Sequence, residues 1–326
     1  MRMIKMRLLV GLIAMAIGLL PALAAAADDY PQRPVRLLVG FGSGGPTDVI
    51  ARIFQNQAAD ILGQPLVVEN RPGSGGNIAA EMLAKAAPDG YTIMLGTPGQ
   101  LAVNRYLYSS LNYDPATDFV PIAQVTSAML NLVVPAESPF ETLEDLLAYA
   151  AENPGDLAFG SAGNGSTMHI GGEMLNVMAG TDMLHVPYRG SAAANVDLLA
   201  NRLDLMIDSQ STTVPHIRSG KLRLLAVTGG EPHQDFPDAP LIGDVVPGYE
   251  LTTWLGFVAP AGTPQPILDR LYEVFAVVAN DPKVQQQVRD IGSNLYLTDP
   301  EAFAAHLDSE RERAEGVIRE AGISLD

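Results

Sequence analysis

The first half of the chain alternates between two hydrophobic periods. Val35-Arg-Leu-Leu-Val39 is a short apolar run closed by Gly40, which predicts a buried strand. Behind it, Val49, Ile50, Ile53, Phe54, Ala58 and Ile61 recur at helical spacing and predict a helix from Pro46 to Leu62 that Gly63 stops. The cycle then repeats, with a strand at 65–68, a loop at 71–76, a helix at 77–87, a turn at Pro88-Asp-Gly90 and a strand at 91–95. Strands and helices that alternate through short loops predict a parallel sheet covered on both faces.

A second series of the same kind follows. Strands are predicted at 130–134, 157–159, 184–186, 203–207 and 222–228, with helices at 143–153, 166–178 and 192–200 between them. A strand at 251–258 can cross back, and helices at 266–279, 282–291 and 300–319 close the chain. The expected architecture is therefore two α/β lobes, each a mainly parallel sheet flanked by helices. Two crossing strands, near 126–134 and 250–258, join them. Residues 27–127 with 253–326 make the first lobe and residues 128–252 the second.

The N-terminus changes where this protein is expected to work. Arg2, Lys5 and Arg7 precede an apolar run from Leu8 to Leu20, after which Pro21 and small residues lead to Ala27. That order is a secretory signal peptide, residues 1–26, with cleavage after Ala26 or, next best, Ala27. The apolar run is too short to span a bilayer comfortably, and no cysteine stands near the cleavage region for lipid attachment. The expected product is a soluble periplasmic protein.

Cleavage would remove three basic residues and no acidic one, taking the formal net charge from −17 to −20. Such a chain repels nucleic acid and anionic lipid, so neither is an expected partner. An anionic ligand would have to be attracted locally, by backbone N–H groups and a few placed donors. The absence of cysteine excludes a disulfide framework, thiolate metal sites and a cysteine nucleophile.

Gly40-Phe-Gly-Ser-Gly-Gly45 matches the dinucleotide pattern G-x-G-x-x-G, and Glu69 ends the next strand. Export to a compartment where free nucleotide is scarce argues against that meaning. The physical content of the turn remains. Its glycines expose N–H groups, Pro46 suits the first helical position, and the positive end of the helix dipole faces out, where a carboxylate can bind. A tight turn without a ligand is the alternative. Gly160-Ser-Ala-Gly-Asn-Gly-Ser-Thr-Met-His169 is the equivalent turn of the second lobe, with Asn164 or Ser166 as helix cap.

Shorter polar turns at 96–100, 186–191 and 208–210 also end strands, the side on which open α/β sheets bind ligands. The candidate contacts are Phe41, Ser43, Gly44, Gly45, Thr47 and Asp48 from the first turn, with Thr97 and Gly99 beside it. Ser161, Asn164, Gly165, Ser166, Thr167 and His169 come from the second, and Arg189 and Asp208 complete the set. Some of these have bland readings. His169 can be a core histidine, and Arg189 an inter-lobe or surface cation. Asp208 would repel an anion, so it orients a helix N-terminus or accepts from a ligand donor. Phe41, Met94, Met168 and Met206 either line an apolar part of the cleft or belong to the core.

Enzyme signatures are missing. There is no G-x-S-x-G elbow, no G-K-[ST] loop and no H-E-x-x-H, and the five histidines lack metal-ligand spacing. No catalytic residue, metal or cofactor is expected. Glu141, Glu144 and Asp145 suit a helix start, not an acid/base pair.

An ordered set of motifs gives the chain a family resemblance. Tyr30-Pro-Gln-Arg-Pro-Val-Arg36, Gly44-Gly-Pro-Thr-Asp48 with Arg52, Gly63–Gly73 and Pro88-Asp-Gly-Tyr-Thr92 are followed by Gly163-Asn-Gly-Ser166 with His169 and Val186-Pro-Tyr-Arg-Gly190. Over its whole mature length the chain resembles the Bug family, the periplasmic receptors of tripartite tricarboxylate transporters. The resemblance implies a two-lobed Venus-flytrap fold of the type II-like kind. It implies capture of a small mono- or dicarboxylate, aliphatic or aromatic, often through bridging waters and without catalysis. It also implies a monomer that docks onto membrane permease subunits.

Matched position by position, the family's turns fall on Gly44, Gly45, Thr47 and Asp48, and on Gly163–Ser166 with His169. Asp208 falls on the family's acidic residue after a second-lobe strand. Gly40-Phe-Gly-Ser43 replaces a usual Pro-Phe-Pro-type stretch, Thr167 a usual Pro, and Leu241–Val245 a usual Thr-Val-x-Glu motif. The first two departures touch the expected pocket and leave the ligand open. The alternative functions are a sensor feeding a membrane signalling kinase and an exported enzyme acting on a carboxylate.

Overall fold

The computed structural model describes residues 30–321 except 231, 233–235 and 292, so the expected leader and its cleavage site lie outside the described residues. The first lobe opens with β1 (Val35–Val39), α1 (Pro46–Leu62), β2 (Leu66–Asn70), α2 (Asn77–Ala84) and β3 (Thr92–Gly96). β1 pairs in parallel with both β2 and β3. α1 starts with Pro46 in its first turn and stops at Gly63, whose φ of 69° suits glycine and whose N–H closes on Ala59 O. Its Ile50, Phe54 and Ala58 stripe is buried, and Phe54 meets Phe257 and Phe275 edge-on at 5.4 and 6.2 Å.

After β3 the chain makes a π-helical turn, Gly99–Val103, and a short α3 (Asn104–Leu107). It then enters β4 (Phe119–Pro135), a strand of 17 residues. The second lobe holds α4 (Leu143–Glu152), β5 (Ala158–Ser161), α5 (Thr167–Ala179), β6 (Leu184–Pro187), α6 (Ser191–Leu199), β7 (Leu205–Ser209), α7 (Gln210–Arg218), β8 (Leu222–Val227) and α8 (Ile242–Val245). β9 (Thr252–Pro260) returns to the first lobe, and α9 (Gln265–Ala279), α10 (Pro282–Asp290) and α11 (Pro300–Ala321) close the chain.

β4 belongs to both lobes. Phe119–Met129 pair antiparallel with β9, which also pairs with β3, whereas Leu130–Pro135 pair antiparallel with β7 and β8. The outer strands of the second lobe, β5 with β6 and β7, are parallel. Antiparallel pairing among the named strands is thus confined to the crossing strands and the three strands beside them, because a chain that leaves a lobe on one strand must return on a neighbour running the other way. The sequence pattern predicts a strand at 130–134, inside a crossing segment expected near 126–134, so β4 starts earlier and reaches further into the first lobe than expected. The first part of β4, with Pro121 and Gln124 in it, breaks simple alternation. The pairing is irregular at two of these places, between Pro121 and Ala123 and between Gln124 and Thr126, where the strand changes the face it presents.

Each lobe has its own core. α1, α9 and α10 pack against one face of the first sheet, and Leu132, Phe159, Leu175, Leu205 and Ile242 lie in the second core. α11 touches both sides. Phe303 and Leu307 pack with Trp254 under the first sheet, and Ile318 lies in the second-lobe core.

Candidate ligand cleft

A cavity with about 680 Å³ of empty space, part of it open to solvent, lies between the lobes. Its floor is built by the crossing strands. Thr126 faces Leu255 and Ala128 faces Thr253 in register, so alternate positions on each strand present one patch upward. The walls are helix starts: Gly45, Pro46 and Thr47 of α1, Ser166, Thr167 and Met168 of α5, Ser191 of α6, and Ser209 and Ser211 of α7. The first N–H groups of a helix lack intrahelical partners and carry the positive end of its dipole. Four helix starts from two lobes therefore direct donors and partial positive charge into one space. Phe41, Ile50, Ala162, Met168 and Leu255 supply apolar surface, and no charged side chain lines the cleft among the described residues.

The turn before α1 is braced from behind. Asp48 is buried and accepts hydrogen bonds from Gly44 N–H, Arg52 Nε and Asn70 Nδ2, each at 2.9 Å. Burial pushes its carboxyl up, but Arg52, Gly44 and Asn70 together hold it below the usual range. Asn70 also donates to Phe41 O and accepts from Ser43 Oγ. Its amide thereby ties the turn to the end of β2.

The turn before α5 is braced by two stacked histidines. Ser166 caps α5 by accepting from His169 N–H at 3.3 Å. His169 Nδ1 accepts from Gly165 N–H at 3.2 Å, and its Nε2 lies 3.5 Å from Glu173 Oε1, an assignment that places the ring proton on Nε2. His185 stacks on His169 with centroids 3.9 Å apart, and its Nε2 is 2.6 Å from Ser161 Oγ, which accepts from Gly163 N–H. Burial, helped by His169, pushes the His185 imidazole down to about 3. His169, Glu173 and His185 offer ligand atoms within 4.8 Å of one another, the composition of a metal triad. Here three of the four ring nitrogens already face partners, the Gly165 N–H, Glu173 and Ser161 Oγ, so the group acts as a hydrogen-bonded support.

Asp208, fully buried, performs the same service for α6 and α7. It accepts from Ser191 Oγ and Asn195 Nδ2 at 2.5 Å, and from Thr212 Oγ1 and Ser209 N–H at 2.7 Å. Burial raises its pKa, and the four donors offset only part of that.

The sequence-derived candidates thus fall into groups. Phe41, Gly45, Thr47, Thr97, Ser166 and Thr167 line the cleft. Asp48, Ser161, His169 and Asp208 brace its walls from behind. Ser43 and Gly44 are exposed on the rim, and Arg189 is exposed at the mouth, its carbonyl facing Gly42. Gly99, Asn164 and Gly165 meet across the lobe boundary. Of the four apolar candidates, Phe41 and Met168 line the cleft, while Met94 and Met206 are fully buried in the core. The floor residues and Ser191, Ser209, Ser211 and Ser293 were not among the candidates. The i, i+2 pairs Thr126/Ala128 and Thr253/Leu255 on two crossing strands are the signal that could have found the floor.

The chain matches the family model described as the tripartite tricarboxylate transporter family receptor over residues 50–323. It is 33% identical over 327 residues to Protein BugT of Bordetella pertussis, with both chains fully covered. Among solved structures, Rpa4515 of R. palustris with adipate aligns with a TM-score of 0.87 at 37% identity, covering 91% of this chain and 100% of that one. MatC from Rhodopseudomonas palustris with bound malate aligns with a TM-score of 0.85 at 31% identity, covering 89% and 100%. With two α/β lobes around a cleft of helix starts and similarity along nearly its whole length, this chain belongs to the tripartite tricarboxylate transporter receptors, the Bug family of solute-binding proteins.

Proposed function

We propose that this protein is an exported, non-catalytic receptor that captures a small organic carboxylate in the inter-lobe cleft and delivers it to the permease subunits of a tripartite transporter. The observation that carries the reading is the lining, with four helix starts, a ring of hydroxyls and, among the described residues, no charged side chain. Two carboxylate oxygens can be shared among N–H and O–H donors from opposite walls, while Phe41, Ile50 and Met168 accept the carbon body. Binding by neutral donors lets the ligand leave again, as a carrier requires.

The adipate bound by Rpa4515 and the malate bound by MatC, both in homologous folds, support a carboxylate ligand. Export is supported by the leader-like residues 1–26 and by the family. The Ser161–His185 pair is part-buried and does not line the cleft, which leaves the lining hydroxyls without a histidine base among the described residues. A thermal-shift screen of adipate, malate, shorter aliphatic acids and aromatic acids tests the proposal. At ligand concentrations near 100 times Kd, the expected rise in Tm is on the order of several °C for a domain of this size. A flat response to every acid would remove this reading.

A further inference from the structure

A hydroxyl has one proton to give and two lone pairs to receive with, so what each hydroxyl of the cleft can offer a ligand depends on where its proton already goes. At Thr97, which follows β3, a chain of bonds decides this. Gly76 O accepts from Gln100 Nε2 at 2.9 Å, and because a carbonyl can only accept, the Gln100 amide must turn its Oε1 the other way. That oxygen accepts from Thr97 N–H at 3.1 Å and from Thr97 Oγ1 at 3.2 Å. Gln100 is fully buried in the π-helical turn, so the orientation is fixed from inside the lobe. Both donors of Thr97 are spent, and its side chain has only the lone pairs of Oγ1 left for the cleft it lines.

Ser191, on the second-lobe wall at the start of α6, reaches the same condition by another route. Its Oγ donates to Asp208 Oδ2 at 2.5 Å and accepts from Asn195 Nδ2 at 3.3 Å. Asp208 is fully buried and its four donors are all neutral, while Asn195 Oδ1 is buried with no partner among the described residues. This corner is therefore rich in acceptors. Two other lining hydroxyls are set the opposite way. Ser166 Oγ accepts from His169 N–H and Thr126 Oγ1 from Leu255 N–H, so each keeps its proton for a ligand.

We infer that Thr97 and Ser191 are specificity residues that select a carboxylate carrying a second, donating group, a hydroxyl or an ammonium, on its carbon body. The carboxylate goes to the helix starts with Ser166 and Thr126, and the donating group goes to Thr97 Oγ1 or Ser191 Oγ. An acid without such a group leaves these lone pairs facing hydrocarbon, and a site built to pair a polar group discriminates strongly against a ligand that lacks it. This selectivity rests on the receptor reading and deepens it. Helix starts attract any acid, and these two hydroxyls sort among acids.

Acids that share a skeleton and differ at one carbon test the assignment on the mature protein: succinate, malate and aspartate; propanoate, lactate and alanine; phenylpropanoate, phenyllactate and phenylalanine. Calorimetric Kd values in the series that binds most tightly decide. The hydroxy or the amino acid should bind at least about fivefold more tightly than the unsubstituted acid, the worth of one neutral hydrogen bond. The tighter of the two identifies the donor. In Thr97→Val or Ser191→Ala that ratio should fall toward unity while affinity for the unsubstituted acid stays near the parental value. Thr97→Val keeps the side-chain shape and the N–H bond to Gln100, so it remains informative where loss of an Asp208 donor in Ser191→Ala disturbs the fold. Thr97→Ser, which keeps the hydroxyl, should retain the parental ratio. Binding with no preference for a donor-bearing acid, or parental ratios in both Thr97→Val and Ser191→Ala, would overturn the assignment and leave the receptor reading in place. Failure of every acid in the three series to bind would overturn it too, and the receptor reading with it if adipate is also inert.

Discussion

His185 illustrates a cost that the binding turn places on the molecule. Its imidazole is packed between Phe159 and His169, with Ser161 at Nε2 and Glu173 close by. Burial, reinforced by His169, keeps it neutral down to about pH 3, far below the ordinary histidine value of 6.5. The unfolded chain takes up a proton at about pH 6.5, and the folded chain does not until about pH 3. The stability tied to this group is therefore complete above pH 6.5 and is lost progressively as pH falls toward 3. Between pH 7 and pH 5.5 the loss amounts to about 1 kcal/mol. Urea unfolding at the two pH values should show it, and His185→Gln should flatten that part of the profile. A His185→Gln profile as steep as the parent's would mean that other groups carry the acid sensitivity. Asp208 is a second such group, since the four neutral donors that let it fix two helix starts offset only part of the effect of its burial.

At the scale of elements, function resides in where helices begin. Ser166 has two separable duties at the start of α5: its Oγ accepts from His169 N–H as the cap, and it faces the cleft. Ser166→Ala should cost about 1 kcal/mol of stability through the lost cap, and it should also weaken ligand binding. Ser166→Asp keeps a capping oxygen, so stability should return toward the parent value. It also places a carboxylate where an anion is proposed, so adipate or malate binding should weaken by at least about tenfold. Equal affinity in the two variants, measured by calorimetry beside a denaturation curve, would remove α5 from the binding wall. The helix starts were legible in the sequence because Pro46, Gly63 and the Ser166 cap are local signals that need no tertiary context. The cleft floor was not. Thr126, Ala128, Thr253 and Leu255 become neighbours only through the pairing of β4 with β9, residues more than a hundred positions apart. Separating cleft residues from their braces was likewise beyond a sequence reading. Thr47 and Asp48 are adjacent in the chain, yet one faces the cleft and the other is turned toward Arg52 and Asn70.

The whole molecule sets a field that opposes its proposed ligand. With a formal charge of −17 before any leader is removed, it repels an incoming carboxylate at distances beyond the cleft. Inside, capture relies on short-range helix starts and hydroxyls, whose influence dies away within a turn of helix. Salt therefore acts in two unequal ways. Raising ionic strength from about 0.02 M to about 0.2 M shortens the screening length from about 20 Å to about 7 Å. That should remove most of the long-range repulsion while touching the desolvated contacts much less. Stopped-flow association with adipate or malate should consequently speed up several-fold over this range, and a monoanion should gain less than a dianion because its repulsion is half as large to begin with. Release rates should hardly move, since release breaks contacts that salt does not screen. Among the described residues, a basic group placed to act against this trend is Arg189, exposed beside Gly42. If association instead slowed as salt rose, Arg189 would outweigh the acidic surface, and the local-capture account would have to give way to steering by that cation.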